Sequence, residues 1–408
     1  MKRMHMWRWV AAALLLAAGG TAARAGDLAI QSFDGTGRLS YNTLNNGTNY
    51  NYRVEWAPSP GGPWSEFGSA AAFWLNAKPQ AGGTTVTNLV PMCYRVVATR
   101  GDYMAIDISG GTGAASYPVT YYRTLADVPG GANSDVYKTT NLLMRLIPRG
   151  TYTMGSPTNE LGRYSDQTQH QVTLTEDFYI GVFEVTQRQW ELVMGNKPSY
   201  FNNATYYQTR PVEQVSYYNI RENPANSAIS PNWPQSAQVH ANSFMGQLRA
   251  KTALSDFDLP TESQWEYACR AGTATALNSG YNLTSTGSDP RMDEVGRYLD
   301  NGGSGSDQDC APSAGTAKAG SYLPNAWGLY DMHGNVCEWC LDWYGSYPGT
   351  VTDPMGATSY SKRVLRGGDC NDPAEHCLTA LRGAIYPSFL YNNEYRGFRA
   401  YCTHPGQQ

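Results

Sequence analysis

The chain has 408 residues, 30 Lys and Arg against 34 Asp and Glu, a net charge of −4 and eight Cys. A slightly acidic balance excludes nucleic acid as a partner, because that binding relies on clustered Lys and Arg neutralising phosphates. The length allows two domains.

The first 25 residues read as an export signal. Lys2, Arg3 and Arg8 form a positive start, Val10 to Ala18 is apolar, and Ala23-Arg24-Ala25 is a small-x-small cleavage site before Gly26. The apolar run is about half the ~20 residues that a bilayer-spanning helix needs, so no membrane span is expected. Losing Lys2, Arg3, Arg8 and Arg24 takes the net charge from −4 to −8. The expected location is periplasmic or extracellular, where disulfides are the default state of cysteines.

Residues 26–105 read as a small β-sandwich domain. Tyr52-Arg53-Val54-Glu55-Trp56 and Cys93-Tyr94-Arg95-Val96-Val97-Ala98 alternate in strand fashion, with the turn-rich Pro58 to Trp64 between them. The stretch resembles fibronectin type III modules, which implies a spacer or adhesive unit. Residues 106–140, with Gly110-Gly111-Thr112-Gly113 and Pro129-Gly130-Gly131, read as a linker that includes one leading strand.

A mixed α+β domain is expected over 141–404. Ile147 to Ser156 reads as an opening hairpin, and His170 to Leu174 and Phe178 to Gly181 as strands. Thr186 to Met194 has helical spacing, and Pro211 to Ser216 opens a second helical segment interrupted by an insertion from Asn223 to Gln238. A third helix starts at Thr261, where Thr261 and Gln264 form a capping box.

Three further motifs follow. Asn325 to Tyr344 reads NAWGLYDMHGNVCEWCLDWY, Arg363 to Asp372 reads RVLRGGDCND, and Arg396 to Arg399 reads RGFR. In order and composition these resemble the formylglycine-generating enzyme family, also called the sulfatase-modifying factor domain. The resemblance implies a C-type-lectin-like fold with little regular secondary structure. It implies calcium held by Asp331 and Glu338 carboxylates with the Gly334 and Val336 carbonyls, all oxygen donors that suit Ca²⁺. An alternative for Glu338 is an ion pair with an Arg, and Arg399 is expected to pair internally.

The active enzymes of that family hold Cu(I) between two Cys separated by four residues and use O₂ to convert a sulfatase Cys to formylglycine. Here Asp372 stands at the first Cys position, Cys377 at the second, and Asp369 at the active-site Ser. An Asp oxygen is a poor substitute for a soft thiolate. Cys337 and Cys370 occupy positions that are usually aromatic. The resemblance implies a Cys269–Cys377 disulfide, and the paired departures suggest Cys337–Cys370, whose loop of about thirty residues is worth ~3 kcal/mol on closure.

Rival arrangements of the same residues stay open. Cys370 and Cys377 form a shifted copper pair, catalytic only if activity is retained. Cys337 and Cys340 form a C-x-x-C, and Cys337, Cys340, Cys370 and Cys377 form a four-thiolate zinc set. His333 and His376 read as surface or outer groups. Tyr386, Tyr391, Asn392 and Tyr395 line an expected ligand groove.

Three functions follow. The leading one is a non-catalytic, calcium-stabilised binding or accessory module for an extracellular protein or glycan. The others are an active copper oxidase acting on a sulfatase, and a variable ligand-binding protein.

Overall fold

The computed structural model describes residues 101–225, 231–302, 315–388 and 394–403, together with the backbone of the strands before residue 101. The export signal, Cys310, Tyr391 and Asn392 lie outside the described residues. The chain divides into two units, Met1–Gly101 and Asp102–Gln408.

The first unit contains β1 (Ile30–Phe33), β2 (Leu39–Tyr41), β3 (Tyr50–Ala57), β4 (Ser65–Glu66) and β5 (Cys93–Arg100). The two alternating segments of the sequence are hydrogen-bonded partners. β3 and β5 pair antiparallel from Tyr50↔Arg100 to Ala57↔Cys93, and β4 lies on the other edge of β3. β1 and β2 form a separate pair.

The second unit starts earlier than expected. β6 (Tyr103–Asp107) and β7 (Val119–Tyr122) pair with each other, and β6 pairs with β8 (Asn141–Ile147). The expected linker therefore contributes the end of β6 and all of β7 to the main sheet. Burial explains why: Met104 and Ile106 of β6 lie in the same cluster as Leu142 and Met144.

β8 is central because it is apolar on both faces. Leu142, Met144 and Leu146 enter the main core, and Leu143 enters a second cluster with Tyr103 and Val182. β9 (Gly150–Met154) does not fold back on β8 as the expected hairpin. It pairs with β10 (His170–Leu174), and β8 pairs instead with β11 (Phe178–Gly181). Pro148, which has no amide to donate, sits in the Pro148-Arg149 link between the two sheets. Asp177 accepts the Arg149 amide there at 2.9 Å.

The remaining strands are β12 (Phe257–Asp258), β13 (Gly296–Arg297), β14 (His333–Gly334), β15 (Cys337–Trp343), β16 (Val351–Thr352), β17 (Arg363–Arg366), β18 (Gly383–Ile385), β19 (Arg396–Gly397) and β20 (Tyr401–Thr403). The six-stranded sheet runs β12-β20-β11-β8-β6-β7, and a four-stranded sheet runs β18-β17-β15-β19.

The helices are short: α1 (Gln187–Met194), α2 (Tyr217–Ile220), α3 (Phe244–Thr252), α4 (Glu262–Arg270) and α5 (Met292–Val295). Thr186 with Gln189 and Thr261 with Gln264 close capping boxes on α1 and α4. Beyond Ser216 only one turn of helix forms before the insertion, and α3 follows it. Trp190 of α1 stacks on Phe244 of α3 at 5.4 Å, and Phe398 meets both rings edge-on.

Candidate functional site: a cleft over a buried charge network

The motif loop before β15 is held by unusual backbone. Asp331, Gly334 and Asn335 all have positive φ. At Gly334 a side chain would run into the Arg297 carbonyl on β13, so only Gly fits. Buried His333 is locked between two backbone groups: Nδ1 meets the Cys377 carbonyl at 2.7 Å and Nε2 accepts the Asn278 amide at 3.0 Å. Burial pushes its pKa down to about 4. His333 is therefore a structural residue of the interior, where the sequence suggested a surface or outer group.

Below the loop, Arg399 grips Glu338. Its Nε lies 2.9 and 2.7 Å from the two carboxylate oxygens and its Nη2 lies 2.5 Å from Oε1. Trp265 of α4 donates its indole N–H to Glu338 Oε2 at 2.7 Å. The Arg partner expected as the alternative for Glu338 is thus present.

Two more buried carboxylates surround this pair. Glu184 accepts Asn335 Nδ2 at 2.6 Å and the Val336 amide at 3.1 Å. Asp331 Oδ2 accepts the Gly320 amide at 2.7 Å, while buried Asp331 Oδ1 has no hydrogen-bond partner. Burial pushes the Asp331 carboxyl up to about 6, and burial, then Asp331 and Glu338, push Glu184 well up. Excess buried negative charge and an orphaned carboxylate oxygen fit a hard cation. Asp331 Oδ1 is the oxygen that would meet it, since both Glu338 oxygens are taken by Arg399 and Trp265, and Glu184 is a neighbour that the sequence reading missed.

A second ion-pair network supports the cleft. Glu266 binds Arg270 on its own helix, the Gly155 amide and Arg366. Glu262 binds Arg382 through both oxygens at 2.6 and 2.8 Å. The Arg382 guanidinium lies over the rings of Tyr347 and Tyr344 at 4.0 and 4.7 Å.

On this base lies a cleft of about 560 Å³. Its lining includes Tyr164, Cys337, Tyr344, Asp372, His376 and Arg382. A neighbouring cleft of about 550 Å³ shares Ser165, Asp166, Tyr344 and Arg382 with it and adds His170, Tyr347 and Tyr360. A third, of about 710 Å³, includes Trp233, Arg249 and Asp258, and there Asp258 is already paired with Arg221 and Arg249.

The cysteines are arranged differently from the expectation. Cys269, Cys337 and Cys377 are thiols, so neither Cys269–Cys377 nor Cys337–Cys370 is bonded. Cys370 is buried beside Phe201, whereas the Cys337 thiol faces Asp369 Oδ2 at 3.7 Å. Cys269 meets the Met332 carbonyl and Thr379, and Cys377 meets the Asp369 carbonyl. Cys337 and Cys340 lie three apart on β15 and enter different core clusters, as strand alternation requires. That geometry removes both the C-x-x-C and the four-thiolate set. Burial, reinforced by Asp372 and Asp369, pushes the Cys377 thiol well up, so the lone thiol at the second copper position is held protonated. The oxygen donor of Asp372 at the first position does not fit Cu(I), which favours soft thiolates.

Of the expected groove residues, the described ones, Tyr386 and Tyr395, do not line these clefts. Tyr386 is 51% exposed with Lys362 Nζ over its ring. Tyr395 packs on Phe201, and its carbonyl accepts the Cys337 amide. The groove-forming aromatics are Tyr164, Tyr344 and Tyr347. They lie far from 386–395 in sequence, and no local pattern marks them.

Known proteins share this architecture. The solved structure of Treponema denticola variable protein 1 superposes with a TM-score of 0.51 and 27% identity, over 65% of this chain and 96% of that one. The chaperone protein LppX of Paenibacillus barcinonensis is 33% identical over 230 residues, 50% of this chain and 72% of the relative. The formylglycine-generating enzyme of Mus musculus is 27% identical over 286 residues, 63% and 74% of the two chains. The sulfatase-modifying factor enzyme 1-like domain signature matches residues 132–403. With that match over most of its length, the chain belongs to the FGE-sulfatase family.

Proposed function

We propose that this protein is an exported binding or accessory module of the family that has given up copper-dependent formylglycine formation. The observation that carries this reading is the donor set at the cleft: Asp372 stands at the first copper position, and Cys377, at the second, is turned to the Asp369 carbonyl. With an Asp oxygen where the family has a thiolate, the family's Cu(I) seat is incomplete and its O₂ activation is lost. The relatives support the reading by their names, since one is called a chaperone and another a variable protein.

In this reading the ligand is an extracellular protein or glycan, and it enters the paired clefts around Tyr344 and Arg382. Aromatic faces beside a fixed guanidinium and Asp166 offer stacking and hydrogen bonding without a reaction. A cation of the calcium class at Asp331 supplies charge compensation that stiffens the loop leading into β15. The amino-terminal strands serve as a small β-sandwich spacer.

The test is a peptide carrying a sulfatase-type Cys, incubated with the copper-loaded protein and O₂, with aldehyde capture as the readout. No aldehyde is expected. Multiple-turnover aldehyde formation overturns the proposal and restores the oxidase.

A further inference from the structure

We propose that Cys337, Asp369 and Asp372 form a binding site for one divalent transition-metal ion of the zinc class on the wall of the cleft. The Cys337 sulfur and one oxygen from each Asp all lie within 4.8 Å of one another. Among the described residues, this is the one group of three His, Cys, Asp or Glu donors gathered so closely. Small side-chain rotations bring such donors to the ~3.5 Å separation that ligands about 2.0–2.3 Å from one ion adopt.

The three donors come from two segments locked together. Cys337 begins β15, and the Asp pair lies in the turn after β17. Glu338 is registered against Arg366, and the Gly334 amide donates to the Gly367 carbonyl. Each carboxylate is oriented by the turn. Asp369 Oδ1 accepts the Asn371 amide at 2.8 Å, and Asp372 Oδ2 accepts the Asp369 amide at 3.1 Å. This leaves Asp369 Oδ2 toward the Cys337 thiol and Asp372 Oδ1 toward His376 Nδ1, 3.3 Å away. His376 Nε2 is in turn 2.9 Å from the Tyr164 hydroxyl. A carboxylate–His–Tyr chain of this kind holds a metal ligand in orientation.

The donor chemistry selects the ion. Two carboxylates are hard for Cu(I), and a thiolate is soft for Ca²⁺ or Mg²⁺. One sulfur with two oxygens suits a borderline dication such as Zn²⁺ or Co²⁺. All three donors also stand where the family resemblance places other residues: an aromatic at 337, Ser at 369 and Cys at 372. Departures in two segments more than thirty residues apart converge at one point in space. The inference does not rest on the loss of oxidase chemistry, because it names a different donor set and a different ion.

The test uses the whole exported chain, purified without a metal-binding tag, kept reduced and titrated anaerobically with Co²⁺. The expected result is one Co²⁺ bound with a near-ultraviolet thiolate-to-cobalt charge-transfer band, displaced by one equivalent of Zn²⁺ and untouched by excess Ca²⁺. Cys337→Ser removes the band. Asp372→Asn weakens the affinity on the order of tenfold or more. A wild-type protein without the band overturns the proposal whatever the variants do, as does a band that survives in correctly folded Cys337→Ser. Aldehyde formation plays no part in this readout, so the two proposals fail independently.

Discussion

Arg399, from the last motif, and Glu338, the second residue of β15, form a two-pronged buried ion pair. Arg399 also donates to the carbonyls of Gly181, Tyr330 and Asp331, so one side chain ties the main sheet, the motif loop and β15 together. Removing one member of such a pair leaves an uncompensated buried charge. Arg399→Met is therefore expected to cost about 3–5 kcal/mol in urea unfolding. A loss under 1 kcal/mol shows that the pair does not organise the fold.

The orphaned Asp331 oxygen predicts a response to calcium. Free Ca²⁺ at a hundred times its dissociation constant is expected to add about 2.7 kcal/mol to stability. A chelator removes the gain, and Asp331→Asn abolishes it. Equal unfolding midpoints with and without Ca²⁺ rule out the hard-cation site.

His333 predicts a pH effect with a definite sign. Its folded pKa lies near 4, below its ordinary value of 6.5, so the folded state prefers the neutral ring. The contribution is fully present above pH 6.5 and fades as the pH falls toward 4, because the unfolded chain takes up the proton first. Buried acids with raised pKa values, such as Asp342 and Glu222 at about 7, act in the opposite direction. The clean measurement is therefore a difference. The stability gap between wild type and His333→Gln should shrink from pH 7 to pH 4, by about 1.4 kcal/mol per unit at most. A constant gap contradicts a neutral buried His333.

Thiol chemistry should follow the cleft geometry. Non-reducing peptide mapping of the exported protein is expected to find neither Cys269–Cys377 nor Cys337–Cys370. Cys269 should resist alkylation until the protein unfolds, since burial pushes its thiol up to about 12. Detection of either linkage means that the cleft rearranges on oxidation.

The missing copper ligand can be put back. Asp372→Cys places two thiols with four residues between them, and Cu(I) affinity is expected to rise on the order of tenfold or more, given that even outer partners of a metal are worth 10–100-fold. A competition titration against a Cu(I) chelator measures it. Unchanged affinity means that Cys377 cannot turn from the Asp369 carbonyl, and the loss of copper then has a second cause beyond the residue at 372.

The linear chain already determined what depends on neighbours. Thr261 and Gln264 announced the start of α4, and Thr186 to Met194 declared α1. The alternation around Val54 and Val96 announced β3 and β5, and the ordered motifs from Asn325 to Arg399 marked the family. Each is a local pattern whose energetics are complete within a few residues. Tertiary structure decided the rest. Whether Cys337 or Cys340 faces the cleft is a matter of which side of β15 is covered. Whether β9 folds on β8 or on β10 depends on competition between sheets. Asp369 and Asp372 meet Cys337 because β15 and β17 pair in one register, and β-sheet register is set by the burial of both strands together. Convergence across more than thirty residues has no signature in either segment alone, and it is what makes the cleft a candidate site.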